Sequence, residues 1–370
     1  VTLPNGKTAL EELTVDEMLA AGINPVYKEM VGNLASMGYA PNDKAEGLAL
    51  LDDGRLAVIN DNDFGVNGDG TETIGLGLFE FNGENTLDTN RDDDQAILTA
   101  PQNLLGAYMP DAIASFSVDG KNFYITANEG DSRDIDESRL KNVDNLDSSL
   151  NTDATNAPHE DLTVLTDMID VDGDGDIDRL VAFGARSASI FDGNGNRVWD
   201  SGNLFEMITK EALPLQFNAT NDKSGIDARS DDKGPEPEGV SIAKVGDNIY
   251  AIVTLERIGG VVVLDVTDPY APEYVNYVNN RDFDADPESA LAGDLGPESS
   301  VFISETDSPT GEAMVAVANE VSGTVTNFAV QTSMGNQLFG TSGHDELVAS
   351  VQGAYVYGYG GDDHITGTDG

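Results

Sequence analysis

Residues 236–257 read EPEGVSIAKVGDNIYAIVTLER. An acidic turn opens the stretch and an apolar run of strand-like character follows. Gly246-Asp247 then supplies turn chemistry before a second apolar run ends at Glu256-Arg257. This order predicts a β-hairpin. It recurs in KAEGLALLDDGRLAVINDND from Lys44, MPDAIASFSVDGKNFYITANEGD from Met109 and GPESSVFISETDSPTGEAMVAVANE from Gly296. Each copy starts beside a carboxylate, Glu46, Asp111, Glu238 or Glu298, and ends at Asn60-Asp61, Asn128-Glu129, Glu256-Arg257 or Asn319-Glu320. In an antiparallel pair the end of the second strand lies beside the start of the first. Both sets of acids are therefore expected at one end of each hairpin.

Working outward, RLVAFGARSASIFDGNGNRVWDSG from Arg179 adds a hairpin turning at residues 192–196. Sequence units fall near 46–100, 108–155, 162–205, 238–290 and 298–330. A four-stranded blade needs about 40–50 residues, so the chain reads as an all-β protein, a β-propeller with about five blades visible. A β-sandwich is the alternative, but it leaves the recurring acids unexplained. Residues 1–43 read as a helical lead-in. Thr14 and Glu17 form a capping box, and Pro25 sits early in a second helix that stops at Gly38. The propeller spans 44–333 and a separate tail 340–370.

Of 370 residues, 40 are glycine and none is cysteine. Disulfides, zinc-thiolate sites and a cysteine nucleophile are thereby excluded. No apolar run approaches the ~18 residues of a membrane span. Val1 opens no signal peptide, as expected of a mature chain or a fragment. Lys plus Arg number 19 against 67 Asp plus Glu, a net charge of −48. Such a surface repels nucleic acid and anionic membranes. It suits either salty surroundings, where screening softens self-repulsion, or calcium.

Two segments carry calcium-ligand spacing. The tail divides into nines: GTSGHDELV from Gly340, ASVQGAYVY from Ala349, GYGGDDHIT from Gly358 and GTDG from Gly367. Gly343 aligns with Gly361 and Asp345 with Asp363, while Gln352 and Ala354 replace the glycine and aspartate of the middle copy. A β-roll fragment with calcium at the first and third copies is expected. The tail resembles the RTX (haemolysin-type) calcium repeat, and that resemblance implies export through a type I secretion machinery. The second segment is DVDGDGDID, with Asp170, Asp172, Asp174 and Asp178 at loop positions 1, 3, 5 and 9 and Gly175 at the sharp turn. Val181 at position 12 replaces the bidentate glutamate of an EF-hand, so this is a shorter calcium loop.

In a propeller the innermost strands line a channel, and Glu46, Asp111, Glu238 and Glu298 would converge there with Glu129. Two carboxylates about 8 Å apart at an effective dielectric near 20 repel by about 2 kcal/mol, so cations or protons must offset them. Arg133, Arg257, Arg229 and Lys233 lie close in sequence and supply positive charge.

YMPDAIASFSVDGKNFYITANEGDSRD, VAFGARSASIFD, RSDDKGPEPEGV and LERIGGVVVLDVTDP resemble, in order, the choice-of-anchor I domain over roughly residues 101–330. That family is similar to an atypical cyanobacterial alkaline phosphatase and to a surface glycoprotein of biomineralising cells. NLASMGYAPNDKAEGLALLDDGRLAVINDNDFG resembles a late blade of the esterase-like phytase family. Both families extend further upstream, so an upstream segment of the same precursor is an expected partner.

The resemblance implies an extracellular or cell-surface propeller and calcium-dependent hydrolysis of a small phosphoester. Glu46, Asp111, Glu129, Glu238, Glu298, Arg133 and Arg257 are then the expected catalytic group, with Arg229 and Lys233 binding substrate. Ser187 lacks a nucleophile elbow and His159 is isolated, so a Ser-His-Asp hydrolase is not expected. A non-catalytic calcium-binding propeller that contacts a surface or mineral partner stands as the competing reading.

Overall fold

The structure, a computed structural model, describes residues 44–50, 56–61, 78–80, 85–101, 103–132, 137–147, 150, 159–166, 173–330, 337–339, 346–348, 355–357 and 364–367. The expected helical lead-in lies outside the described residues. In chain order the strands begin with β1 (Lys44–Leu50), β2 (Leu56–Asp61), β3 (Leu78–Glu80), β4 (Leu104–Ala107), β5 (Pro110–Val118) and β6 (Lys121–Asn128). They continue with β7 (Glu137–Arg139), β8 (Thr163–Leu165), β9 (Leu180–Ala182), β10 (Ser187–Asp192) and β11 (Arg197–Asp200), then helix α1 (Leu204–Ala212). Next are β12 (Pro237–Val245), β13 (Asn248–Leu255), β14 (Val261–Asp265) and β15 (Glu273–Val278), and then β16 (Pro297–Ile303), β17 (Met314–Asn319) and β18 (Thr324–Ala329). The protein is all-β in class, with α1 the one α-helix among the described residues.

The four expected hairpins all form. β1 pairs with β2, β5 with β6, β12 with β13 and β16 with β17, each antiparallel. Turn chemistry explains two of them directly. Asp119 (φ 51°) and Gly120 (φ 73°) are the only residues between the paired Val118 and Lys121, and both adopt the left-handed backbone that a two-residue hairpin turn requires. Gly246 (φ 62°) opens the equivalent turn between Val245 and Asn248.

The sheets expected near 108–155 and 162–205 are not separate. β10 pairs with β6, Ser187 opposite Asn128 and Asp192 opposite Phe123, so one sheet runs β11-β10-β6-β5. The intervening β7, β8 and β9 join β3 and β4 in a five-stranded sheet ordered β3-β4-β9-β8-β7. Burial accounts for the exchange. Phe123, Ile125 and Ala127 of β6 are buried with Ala188 and Ile190 of β10 in one core cluster. Side chains of adjacent strands lie side by side on the sheet face, so pairing β6 with β10 unites their apolar residues in one core, at about 1.5–3 kcal/mol for each large side chain buried. The cluster also holds Phe205 of α1, Leu255 of β13 and Leu264 of β14. A smaller core, including Ala243, Ile252, Val315 and Val317, joins the sheet β12-β13-β14-β15 to β16-β17-β18.

Helix α1 has no counterpart among the expectations. It buries Phe205, Glu206, Ile208 and Thr209. Two polar residues on the inward face blur the apolar stripe that marks a helix in sequence. In the tail, strands Gln337–Phe339, Glu346–Val348, Tyr355–Tyr357 and His364–Thr366 recur every nine residues. The first pairs in parallel with the third and the second with the fourth, placing Leu347 opposite Ile365.

The opening strands of the four hairpins are neighbours in the order β1, β5, β12, β16. This brings the hairpin ends together and positions the site.

Candidate metal centre

Each hairpin carries its acid on a β-bulge. The pairing register slips between Ala45 and Gly47, between Pro110 and Ala112, between Pro237 and Val240, and between Pro297 and Ser299. The residues skipped are Glu46, Asp111, Glu238 with Gly239, and Glu298. A bulge re-aims the side chain it carries. Three of these acids follow a proline, which has no N–H to lose where the ladder is interrupted. A left-handed residue precedes each proline: Met109 (φ 44°), Glu236 (φ 62°) and Gly296 (φ 67°). The other end of the hairpin is tied to that same residue. The Glu256 amide donates to the Glu236 carbonyl at 2.8 Å, and the Glu320 amide to the Gly296 carbonyl at 2.7 Å.

Glu236 is therefore the pivot of the acidic turn. Held between Pro235 and Pro237 and 0% exposed, it turns its carboxylate inward. Lys233 Nζ donates to Glu236 Oε1 at 2.7 Å, and Arg257 Nε donates to Oε2 at 2.6 Å. Lys233 also meets Asp131 at 2.7 Å and Glu129 at 3.2 Å, and Arg257 meets Glu256 at 3.2 Å. Asn221 Nδ2 donates to Glu256 Oε1 at 3.1 Å. Carboxylate oxygens of Glu129, Glu236, Glu238 and Glu256 all lie within 4.8 Å of one another. Glu238 is only 8% exposed, and its Oε2 has no hydrogen-bond partner.

The electrostatics follow from four acids sharing two cations. Burial tends to raise Glu236, but Lys233 and Arg257 outweigh it and hold the carboxyl at about 2. Its neighbours go the other way. Burial, then the charges of Glu129, Asp111, Glu298 and Glu236, push Glu238 up to about 11. Burial and the charges of Glu236 and Asp131 outweigh Lys233 and raise Glu129 to about 9. Burial and Glu236 raise Glu256 to about 8. Burial and a hydrogen bond shared with Glu320 raise Glu298 to about 7. Lys233 stays charged: burial opposes its proton, but Glu236, Glu129 and Asp131 hold it well above the usual lysine range. A bound cation or protons must therefore balance the centre.

Gly239 keeps Glu238 in place. A Cβ there would lie 2.3 Å from the Glu298 carbonyl oxygen and 2.8 Å from Thr254 Oγ1. Thr254 Oγ1 receives the Gly239 amide at 2.7 Å and donates to the Glu298 carbonyl at 3.2 Å, tying β12 to β16. Gly239→Ala should force these backbones apart and cost about 1–3 kcal/mol. Denaturant unfolding checks this, and an unchanged midpoint would show that the close approach is dispensable.

Among the expected site residues, Asp111, Glu129, Glu238, Glu298, Lys233 and Arg257 come together. Arg229 pairs instead with Asp232 at 3.0 Å. The backbone of Glu46 lies on the β1 bulge, but its side chain lies outside the described residues, as does Arg133. Glu236 was not among the expected residues, and Glu256, expected among the acids at the hairpin end, was not in the expected catalytic group. Sequence marks the acid before a strand, whereas Glu236 acts through a left-handed turn one proline earlier.

In the aspartate loop, Asp170 and Asp172 lie outside the described residues, while Asp178 groups with Asp176 and with Asp147 from a distant segment. Desolvation and the charges of Asp174, Asp147 and Asp178 raise Asp176 to about 6. Asn145 Nδ2 donates to the Gly175 carbonyl, pinning the two segments. Gly343, Asp345, Gly361 and Asp363 of the tail lie outside the described residues.

The sequence profile of the choice-of-anchor I domain matches residues 66–269, more than half of the chain. Glu129, Lys233, Glu236, Glu238, Glu256 and Arg257 all fall inside it. Gigasin-3a of Magallana gigas is similar, 26% identical over 174 residues that cover 43% of this chain. The match spans 60% of the length of Gigasin-3a, less than two thirds of it. No solved structure matches. Among the described residues no helix is long and apolar enough to cross a membrane.

Proposed function

The chain belongs to the choice-of-anchor I domain family, and from that premise we propose an extracellular, surface-associated domain that binds a divalent cation of the calcium type at its glutamate centre. One observation carries this reading: Glu238 Oε2 is buried without a partner among four carboxylates that share two cations. The donor set is oxygen throughout, which suits a hard cation. Glu129, Glu236, Glu238 and Glu256 would hold the ion, with Asp111 and Glu298 beside them. Four ionised glutamates against Lys233 and Arg257 leave two negative charges, to which Asp131, Asp111 and Glu298 add, so a divalent ion is favoured. A β-propeller is the arrangement we propose for the hairpins, because their opening strands neighbour one another in chain order. The tail supports calcium-dependent ordering and type I export through its nine-residue period.

The test is calcium titration of the metal-stripped protein followed by thermal unfolding. An ion at about one hundred times its dissociation constant stabilises the fold by about 2.7 kcal/mol. Glu238→Gln should fold normally and lose most of the stabilisation that belongs to this centre. An equal calcium response in the variant would end the assignment.

Phosphoester hydrolysis is a second reading, favoured by Lys233 and Arg257 standing beside the acids. A cation held there would supply Lewis acidity toward a phosphoryl oxygen. Both basic side chains are already bound by Glu236, so a phosphate group must displace that carboxylate to reach them. Turnover of a generic phosphomonoester or of phytate, present with calcium and abolished by chelator, would favour this reading. Calcium binding without turnover would leave a binding domain for a surface or mineral partner.

A further inference from the structure

A second buried group of oxygens lies away from the glutamate centre, where the loop of residues 85–97 covers the segment 217–232. Asp227 and Asn218 are both 0% exposed. Ser230 Oγ donates to Asp227 Oδ1 at 3.0 Å, and Asn218 Nδ2 donates to Ser230 Oγ at 3.0 Å. This relay fixes both side chains. The serine proton is committed to the aspartate, so Asn218 must present its amide nitrogen and turn Oδ1 away. The two remaining oxygens, Asp227 Oδ2 and Asn218 Oδ1, have no hydrogen-bond partner. Leaving a buried acceptor unsatisfied costs about 1–3 kcal/mol each. Both residues also hold left-handed backbone, φ 62° at Asp227 and 51° at Asn218.

The covering loop brings one donor toward Asp227, the Gln95 amide, and otherwise adds negative charge. Asp88 is 1% exposed and accepts the amides of Asn90 at 3.0 Å and Ile97 at 2.8 Å, one on each oxygen. Asp93 accepts the Gln95 amide at 2.9 Å and Asn90 Nδ2 at 2.9 Å. Carboxylates oriented by their own loop amides keep further lone pairs free. Asp88 and Asp93 both bear electrostatically on Asp227, which burial and these charges raise to about 7. Arg186 offsets part of the Asp88 charge, and both its Nη groups are spent on other acceptors. Its Nη1 donates to Glu206 Oε1 at 2.5 Å and to the Asp88 carbonyl at 2.9 Å, and its Nη2 to the Ser230 and Asp232 carbonyls.

We propose that Asp227 and Asn218, closed over by Asp88 and Asp93, form a second cation site of the calcium type. Two waters could satisfy the orphan oxygens but not the charge of three neighbouring carboxylates. A hard divalent cation satisfies both, and a donor set of carboxylate and amide oxygens suits calcium rather than a transition metal. The ion would add to the contacts that fasten the 85–97 loop: the Asp88 amide on Glu206 at 3.2 Å, Arg186 on the Asp88 carbonyl, Thr89 with His159 at 2.7 Å, Asn203 on Thr86, and Arg91 on Asp231 at 3.0 Å.

The experiment counts calcium ions on the full chain by native mass spectrometry in calcium chloride, for wild type, Asp227→Asn, Glu238→Gln and the double variant. Asparagine tolerates the left-handed backbone, so Asp227→Asn keeps the turn. It should bind one ion fewer than wild type, and the double variant one fewer than Glu238→Gln. An unchanged count in Asp227→Asn overturns the site, whatever Glu238→Gln does; an unchanged count in Glu238→Gln alone overturns only the glutamate centre. Asn218→Asp guards against a folding defect in the first variant. The added carboxylate should tighten calcium about tenfold at this site and lower the melting temperature in chelator. A calcium response identical to wild type would overturn the proposal. Tryptic cleavage at Arg91 reports the loop: calcium should protect it in wild type and not in Asp227→Asn.

Discussion

Lys233→Met should destabilise the chelated protein by about 3–5 kcal/mol, the usual cost of removing one partner from a buried ion pair. Lys233 is 4% exposed and serves three carboxylates, Glu236, Glu129 and Asp131. Without it, Arg257 alone faces four clustered glutamates. The loss should be smaller in millimolar calcium than in chelator, because a divalent ion replaces the missing charge. The calcium midpoint should also shift to lower concentration, since the ion no longer competes with an ammonium group. Urea unfolding with and without calcium measures both effects. A loss of the same size under the two conditions would separate the lysine from any cation at the centre.

Raising the pH from 5 to 9 should weaken the chelated protein, whereas maximal stability commonly lies between about pH 5 and 8. The sign comes from the acids of the centre. Glu298, Glu256, Glu129 and Glu238 titrate in the fold at about 7, 8, 9 and 11, against about 4.3 in an unfolded chain. The native state therefore binds more protons than the unfolded state across this interval. That stability is complete below about pH 4.3 and is lost as the pH rises through the folded values. Glu236 acts oppositely: held at about 2, it contributes stability above the ordinary glutamate range that is lost as the pH falls through its own value. Because the groups titrate as a set, the net loss from pH 5 to 9 should be about 2–4 kcal/mol rather than the sum of separate shifts. Saturating calcium should flatten the profile. A chelated protein whose melting temperature rises from pH 5 to 9 would contradict the crowded centre.

Much of this arrangement was legible in the chain. The Asp119-Gly120 and Gly246-Asp247 turns mark their hairpins by local backbone demands, and the recurring acids mark the bulges. Less was legible where distance in sequence intervenes. Nothing local says that β10 returns to β6 across the excursion of β7, β8 and β9, because that pairing is decided by which apolar side chains must be packed together in the fold. Asp147 joins Asp176 and Asp178 only through folding. The 204–212 helix hides behind the burial of Glu206 and Thr209. Most of the glutamate centre was visible: Glu238, Glu129 and Glu256 follow from the hairpin pattern. Glu236 depends on a left-handed φ between two prolines, which reads equally well as an exposed turn.

The contact between Lys233 and Glu129 joins residues 104 positions apart in a chain that has no cysteine. In topological terms it is a staple. It closes a long loop, as a disulfide would, and a covalent closure of about 100 residues is worth up to about 4.7 kcal/mol in chain entropy. A staple made of charges differs in one respect: it can be set and released without redox chemistry. Acidity, salt or a divalent ion shifts its balance. The strength of the clasp thus follows the acidity, salt and divalent ions of its surroundings.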